Sequence, residues 1–429
     1  MIERPDYLNK IISKKENGMI KVITGIRRSG KSFLLTDIYI PWLKEQGVLS
    51  ENIIHLSLEE ARNARYRNPM NLSEYVRNAV FANDAMHYVF LDEIQKVEEI
   101  QNPYVDNKES KIGFVDVLLE LMKIKNVDLY VTGSNSRMLS SDILTDFRGR
   151  GDEIKMQPLT YKEFYNAFTD DKKYAWREFF TYGGLPVVAG LKTHEEKSKY
   201  LKDLFENTYI KDIIERHDIR NEEEILNTLL NVLSSSVGSL TNSSNLANTF
   251  RSVEKINISS NTITRYINHF IDAFVVQKAE RYDIKGRKYI GNQSKFYFCD
   301  VGLRNARLNF RQTEENHIME NIIYNELVAR GFDVDVGIVE YNHKNSEGKN
   351  VKTQLEVDFV ANDGSTRYYI QSALSVADEE KRQQEINSLR RTGDSFRKIV
   401  VVKDSIIPWT DENGIYYVGI EDFLLEFVK

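Results

Sequence analysis

The sequence predicts an α/β protein whose first domain is a parallel sheet with helices on both faces, built around a phosphate-binding loop. Three observations predict it. Gly25-Ile26-Arg27-Arg28-Ser29-Gly30-Lys31-Ser32 fits G-x-x-x-x-G-K-[ST] at every constrained position. That stretch lies between an apolar run, residues 19–24, and a segment from Ser32 with Leu34, Leu35 and Ile38 at helical spacing. A second apolar run, Tyr88-Val89-Phe90-Leu91, ends in Asp92-Glu93, as a strand buried on both faces and carrying acids at its ligand-facing end would.

Taken in order, residues 19–24 read as a short buried strand, and the loop opens a helix that runs from Ser32 to Ile40 and stops before Pro41. Glycines at 25 and 30 let backbone N–H groups wrap phosphate oxygens, Lys31 reaches the β/γ oxygens, and Ser32 can ligate Mg²⁺. Ile26, Arg27, Arg28, Ser29 and Phe33 complete the contact set, and the helix N-terminus favours an anion. Asp92 is expected in the Mg²⁺ shell and Glu93 as the group that polarises an attacking water. A third strand, residues 128–132, runs into Gly133-Ser134-Asn135-Ser136, which places Ser134 and Asn135 to sense a γ-phosphate or the water. Phe147-Arg148-Gly149-Arg150-Gly151 then puts Arg148 and Arg150 on a loop before the strand at 152–156. Either arginine could reach a phosphate in its own chain or, in a homo-oligomer, a neighbour's.

Composition bounds the rest. At 429 residues the chain is long enough for two to four domains, and 41% hydrophobic with 28% charged residues is ordinary for a globular protein. No apolar run is long enough for a membrane span, and the polar start MIERPDYLNK lacks the features of a secretion signal, so cytoplasmic residence is expected. The single cysteine, Cys299, excludes an internal disulfide, and a net charge of −6 argues against a globally basic nucleic-acid binder.

GIRRSGKS, FLDEIQ, VTGSNS and FRGRG, followed by Pro158-Leu159-Thr160-Tyr161-Lys162-Glu163-Phe164, resemble the prokaryotic AAA-like ATPases that end in a restriction-endonuclease-like domain. The resemblance spans nearly the whole chain. It implies an AAA+ type P-loop domain over residues 1–165, with ATP or ADP and Mg²⁺ as its ligands and Asn135 at a sensor position.

Beyond it, residues 166–220 read as a helical lid or connector, interrupted by Gly183-Gly184-Leu185-Pro186. Residues 221–310 resemble a winged helix. Helices are expected at 224–233, 242–250 and after Ser259, and a β-wing follows that turns at Asp283-Ile284-Lys285-Gly286-Arg287. Residues 251–290 hold eight Lys/Arg against four Asp/Glu, a balance that suggests DNA. Thr262, Arg265, Asn268 and His269 would meet the duplex, and Lys285, Arg287 and Lys288 would grip phosphate.

Residues 311–429 resemble a restriction-endonuclease core in which Asp358 matches the strand-ending acid and Glu320 and Glu326 lie on the preceding helix. Gln371 and Ala373 stand where that chemistry needs an acid and a lysine, so no nuclease activity is expected. The resulting expectation is a Mg²⁺-dependent ATPase coupled through its C-terminal domains to DNA or an unknown protein partner. The competing one is a nucleotide-bound scaffold that acts by protein contact without hydrolysis.

Overall fold

The computed structural model describes residues 2–107, 109–133, 150–219, 222–311, 314–344 and 348–427, the Asn292 side chain aside. The chain forms two compact units: Met1–Gln157 with Asp272–Phe274, and Pro158–Ile271 with Val275–Lys429.

In the first unit, strands β1 (Ile20–Thr24), β2 (Ile53–Ser57), β3 (His87–Asp92), β6 (Val127–Thr132) and β7 (Gly151–Lys155) form one sheet in the order β2-β3-β6-β1-β7. Every neighbouring pair is parallel. Two short strands, β4 (Ile100–Gln101) and β5 (Lys111–Ile112), make a separate antiparallel ribbon. Because all five strands of the sheet point the same way, Thr24, Asp92 and Thr132 end at one edge, and β6 lies between the two strands that carry the loop and the acids.

In the central strands β1, β3 and β6 successive residues feed opposite cores, which is why these runs are mostly apolar rather than alternating. Val22, Val89, Leu91 and Val131 pack with Leu72, Val76 and Val80 of the helix Pro69–Val80. Ile23, Phe90 and Tyr130 pack on the other face with Tyr7 and Ile11 of the helix Pro5–Ser13 and with Leu34, Leu35 and Tyr39. The expected parallel sheet with helices on both faces is the observed arrangement.

Pro41 does not end the helix after the loop. An α turn, Lys31–Phe33, passes into a π-type segment, Leu34–Tyr39, and then into Ile40–Glu45, which contains Pro41. Ile40 N–H reaches back five residues to Leu35 O, and this wider turn lets the chain pass a residue with no N–H to donate.

A buried ion pair braces the strand that leads into the loop. Lys21 on β1 bonds Asp128 on β6, their side chains only 0% and 2% exposed. Asp128 also accepts from Tyr130 OH at 2.7 Å and Glu16 N at 2.9 Å, and Tyr130 meets the Tyr39 hydroxyl at 2.7 Å.

The second unit begins with helices that include Tyr161–Ala167, Ala175–Tyr182 and His194–Leu204. Gly183-Gly184 is explained by Asp300, which caps the helix Val301–Arg307 through Leu303 N at 3.1 Å and also accepts from Gly184 N at 2.7 Å. A Cβ on Gly183 would sit 2.2 Å from the Asp300 carboxylate.

The helices expected in the central segment occur as Glu223–Ser235, Ser243–Thr249 and Ser260–Asp272. The hairpin expected as a wing, β8 (Val276–Asp283) and β9 (Lys288–Phe298), is not a separate element. It continues a mixed sheet with β10 (Asp333–Lys344), β11 (Asn350–Asp363), β12 (Thr366–Ala373), β13 (Arg397–Val402), β14 (Trp409–Thr410) and β15 (Ile415–Gly419). The order is β14-β15-β13-β12-β11-β10-β8-β9, and β8 pairs parallel to β10 through Val336↔Arg281 and Ile338↔Asp283. One strand ladder thus carries residues from both sides of position 310.

Lys21→Met should lower stability by about 3–5 kcal/mol, because it leaves the Asp128 carboxylate buried without its cation. Adding Asp128→Asn should restore more than half of that loss. Calorimetric unfolding of the two variants checks this, and a second substitution that restores nothing would show that the ion pair is not the source of the loss.

Candidate active site

The loop after β1 takes a shape few residues tolerate. Gly25 has φ +139° and Gly30 φ +97°, and a Cβ on Gly25 would lie 2.1 Å from Met156 O. Arg28 is left-handed at φ +68° although it is not glycine, and its side chain is exposed. Lys31 Nζ donates to Gly25 O and Ile26 O, both at 3.0 Å, so the lysine lies along the inside of the loop. The buried Ser29 Oγ has no partner among the described residues. Arg27 leans toward Glu59 at 3.4 Å, and Phe33 is half-buried on the first helical turn. Arg4 supports the loop from outside: its guanidinium donates to Ser29 O at 3.3 Å and to Gln157 O at 3.0 Å.

Facing the loop, the end of β3 presents its two acids. Ser32 Oγ lies 2.9 and 2.8 Å from the two Asp92 carboxylate oxygens. Thr132 Oγ1, at the end of β6, donates to Asp92 Oδ1 and accepts from Glu93 N at 3.0 Å. Glu93 is held at φ +55°, and Gln95 Nε2 donates to its carboxylate. Left-handed backbone in a residue with a side chain is a strain that surrounding contacts must hold.

The electrostatics follow from burial. Lys31 is brought down to about 8, chiefly by burial, against the upward pull of Glu93 and Asp92. Burial raises Glu93, with Lys31 opposing it and Asp92 adding to it. A hydroxyl and a carboxylate oxygen set of this kind suits Mg²⁺, a hard cation that takes few protein ligands and completes its shell with water and phosphate. No cluster of three or more His, Cys, Asp or Glu able to hold a metal occurs among the described residues.

Of the other expected site residues, Asn135 and Arg148 lie outside the described residues. Arg150 is exposed, and its carbonyl accepts from Ile20 N, the first residue of β1. That is the opposite end of β1 from the loop, about 16 Å away at roughly 3.3 Å per residue. A role for Arg150 on its own chain's phosphates is therefore corrected, because the length of the sheet separates them. Thr132 and Arg4 were missed by sequence reasoning. Thr132 carried one usable signal, its place just before Gly133 at a strand end, whereas nothing local marked Arg4.

The second unit gathers a different cluster. Lys295 on β9 lies 2.7 Å from Glu320, 2.7 Å from Glu356 and 4.0 Å from Asp358, and Tyr297 OH donates to Glu320 at 2.5 Å. Burial would depress the Lys295 ammonium, but the three carboxylates outweigh it and the net shift is upward. Asp358 is pushed well up by burial and by Glu320, against Lys295. Asp358 Oδ2 accepts from Ser372 N at 2.8 Å, while Gln371 Oε1 faces Asp358 N at 3.4 Å and Ala373 packs in the core. Glu326 stands apart, bonded to Arg330 at 2.8 Å.

Between the helix Ser260–Asp272 and the β8–β9 hairpin lies a groove of about 500 Å³, to which Thr264 and Asn268 contribute along with Lys278 and Arg281. His269, expected on the exposed face, is instead buried and stacked on His217 at 3.6 Å. Arg265 lies 3.8 Å from Glu222.

Residues 17–165 match the family model of an AAA domain, and residues 173–314 match a domain of unknown function. An uncharacterized protein of Haemophilus influenzae is 30% identical over 99% of this chain and 99% of its own length. An uncharacterized protein of Methanocaldococcus jannaschii is 27% identical, covering 95% of this chain and 86% of that one. Among solved structures, a Walker-type ATPase of Pyrococcus abyssi aligns at 14% identity and TM-score 0.49, over 72% of this chain and 96% of that chain. No helix among the described residues is long and apolar enough to cross a membrane.

The lowered Lys31 predicts a pH dependence. Phosphate oxygens need the ammonium form, so ATP binding should weaken as pH rises through about 8, by at most about tenfold per pH unit, and should take up a proton above that value. Titration calorimetry in buffers of different ionisation enthalpy measures both effects. An affinity unchanged from about pH 7 to 9.5 would show that Lys31 does not lose its proton in this range.

Proposed function

This chain belongs to the same family as the Haemophilus influenzae protein, with an AAA domain at its N-terminal end, and from that premise we propose that it binds ATP with Mg²⁺ and hydrolyses it. The observation that carries the reading is the approach of Ser32 Oγ to both oxygens of Asp92 at 2.9 and 2.8 Å, beside a lysine that lines the loop.

Backbone N–H groups of residues 25–32 would hold the phosphates, with the Lys31 ammonium leaving its loop carbonyls for the β/γ oxygens. Ser32 and Asp92 would hold Mg²⁺, which when bound supplies charge neutralisation on the transferred phosphoryl group. Glu93 would orient a water and take its proton, its carboxylate steered by Gln95 and its backbone fixed by Thr132. Asn135 fits a sensor of the γ-phosphate. Arg148 fits a finger on its own chain's nucleotide or a neighbour's, whereas Arg150, given its distance from its own loop, fits one supplied to a neighbouring copy, a role that requires a homo-oligomer.

The second unit we read as the part that meets DNA or a protein partner. Support comes from the basic surplus of residues 251–290 and from the polar groove that Thr264 and Asn268 help to line. Its C-terminal sheet we read as a restriction-endonuclease-like scaffold without cleavage activity. There Lys295 is inserted among the carboxylates that a divalent ion would need, and Ala373 offers no group to orient a nucleophile.

Glu93→Gln should keep ATP affinity within about threefold and slow phosphate release by at least about tenfold. Release at the wild-type rate would reject Glu93 as the base, and no release even by wild type with DNA or lysate fractions added would favour a nucleotide-bound scaffold. The wild-type rate should also fall with acid above the ordinary glutamate range, since burial holds Glu93 protonated to higher pH.

For the arginine role, Arg150→Ala mixed with Lys31→Ala should recover part of the activity that each variant lacks alone. An Arg150→Ala chain with the wild-type rate would make that arginine a surface residue.

A further inference from the structure

A pocket of about 510 Å³ opens in the second unit between the β8–β9 turn and the loop that precedes β13. Lys285 and Arg287 reach it from the turn, Arg367 from β12, and Asp394 and Phe396 from the loop.

Both rims are fixed. Gly286 N donates to Asp283 Oδ1 at 2.8 Å and Arg287 N to Asp283 O at 2.7 Å, and a Cβ on Gly286 would lie 2.3 Å from Asp283 Oδ2, so the turn has one shape. Across the pocket Lys398 Nζ donates to Asp394 O at 2.9 Å. Arg367 Nε donates to Asn362 Oδ1 at 2.8 Å, and its guanidinium lies 5.3 Å from the ring centres of both Tyr282 and Phe396. Among the described residues none of Lys285, Arg287 and Arg367 forms an ion pair. Asp394, the one acid of the lining, already accepts from Tyr369 OH at 2.6 Å and Phe396 N at 3.4 Å.

Three cations thus converge on a pocket lined by a single carboxylate, and the Arg367 guanidinium, held between two rings and hydrogen-bonded to Tyr282 and Tyr369, presents a fixed charge to a planar or tetrahedral anion. The volume exceeds what a bare phosphate fills and falls in the range of about 300–1,000 Å³ typical of organic ligands. Phe396, 42% exposed, adds a ring on which a base can stack. From these features we infer that the pocket holds one nucleotide unit of a nucleic-acid strand, its phosphate on Lys285, Arg287 and Arg367 and its base against Phe396. The basic surplus of residues 251–290 favours a strand over a free nucleotide, since a polyanion engages the whole surface. The inference rests on the reading of the second unit as the part that meets DNA, and adds a site formed jointly by the hairpin turn and the C-terminal sheet.

The test uses the full chain carrying Lys31→Ala, so that the loop of the first unit contributes no phosphate binding. Labelled single-stranded and duplex oligonucleotides are titrated by anisotropy at two salt concentrations. Lys285→Gln with Arg287→Gln, both exposed positions, should leave the thermal midpoint unchanged and reduce the salt slope for the single strand by about 0.7 per lost contact. Phe396→Ala should weaken single-strand binding about tenfold. Arg367→Lys, which keeps the charge and loses the fork, should weaken both.

Equal affinity and slope in the parent and the Lys285/Arg287 variant would overturn the pocket, and loss of binding in Asn268→Ala alone would then leave the DNA reading standing through the groove. Absence of binding by the parent would overturn both readings. Displacement of the strand by equimolar AMP would overturn the strand as the source of the nucleotide.

Discussion

The Asp92 carboxylate is the constraint on which the first unit depends. It is buried at the end of a strand with no exposed face, and two other segments satisfy it. Ser32 reaches it from the first turn after the loop, Thr132 reaches it from β6, and the same Thr132 hydroxyl fixes the N–H of Glu93. Hydrogen bonds to a charged group contribute about 1.5–3 kcal/mol each, and an unpaired carboxylate at this depth would cost more than that. Loop, acid strand and β6 are therefore registered to one another by one pair of oxygens. The order β3-β6-β1 makes this possible, because it sets β6 between the strands whose ends carry the acids and the loop.

That arrangement explains how much of the site was legible. The loop and Asp92-Glu93 are contiguous stretches whose residue types are dictated by local demands: glycine where φ is positive or a carbonyl crowds in, and apolar runs where a strand has no exposed face. Such demands are written in neighbouring residues. Thr132 and Arg4 act instead through pairings 40 and 153 residues away along the chain, with Asp92 and Gln157, and nothing in their neighbours encodes those partners. Pro41 misled for a related reason. Its rule assumes an α ladder, and the π-type segment before it changes which N–H is needed.

The second unit was less legible because its sheet is assembled from strands far apart in sequence. The alternation around residues 276–298 correctly implies a hairpin, but no local pattern states that β8 has a parallel neighbour 55 residues on, at Val336↔Arg281. Missing that pairing concealed the origin of the buried cation. The strand after Asp358, β12, offers Ala373 at the position where a lysine belongs, whereas the ammonium that meets the acids comes from Lys295 on β9.

The two acid clusters use similar residue types and reach opposite electrostatic ends. In the first unit Lys31 spends its hydrogen bonds on loop carbonyls, and the Asp92 carboxylate is held instead by the hydroxyls of Ser32 and Thr132 while Gln95 donates to Glu93. In the second, Lys295 lies directly between Glu320 and Glu356 with Asp358 beyond, and Tyr297 takes a further lone pair of Glu320. Burial then favours a proton on Asp358 to balance what one ammonium cannot. The Lys295 ion pairs thereby tie β9, β11 and the helix Glu315–Ala329 together. The position of the lysine, more than the number of acids, distinguishes the two clusters: it lies among the carboxylates in the second unit and along the loop backbone in the first.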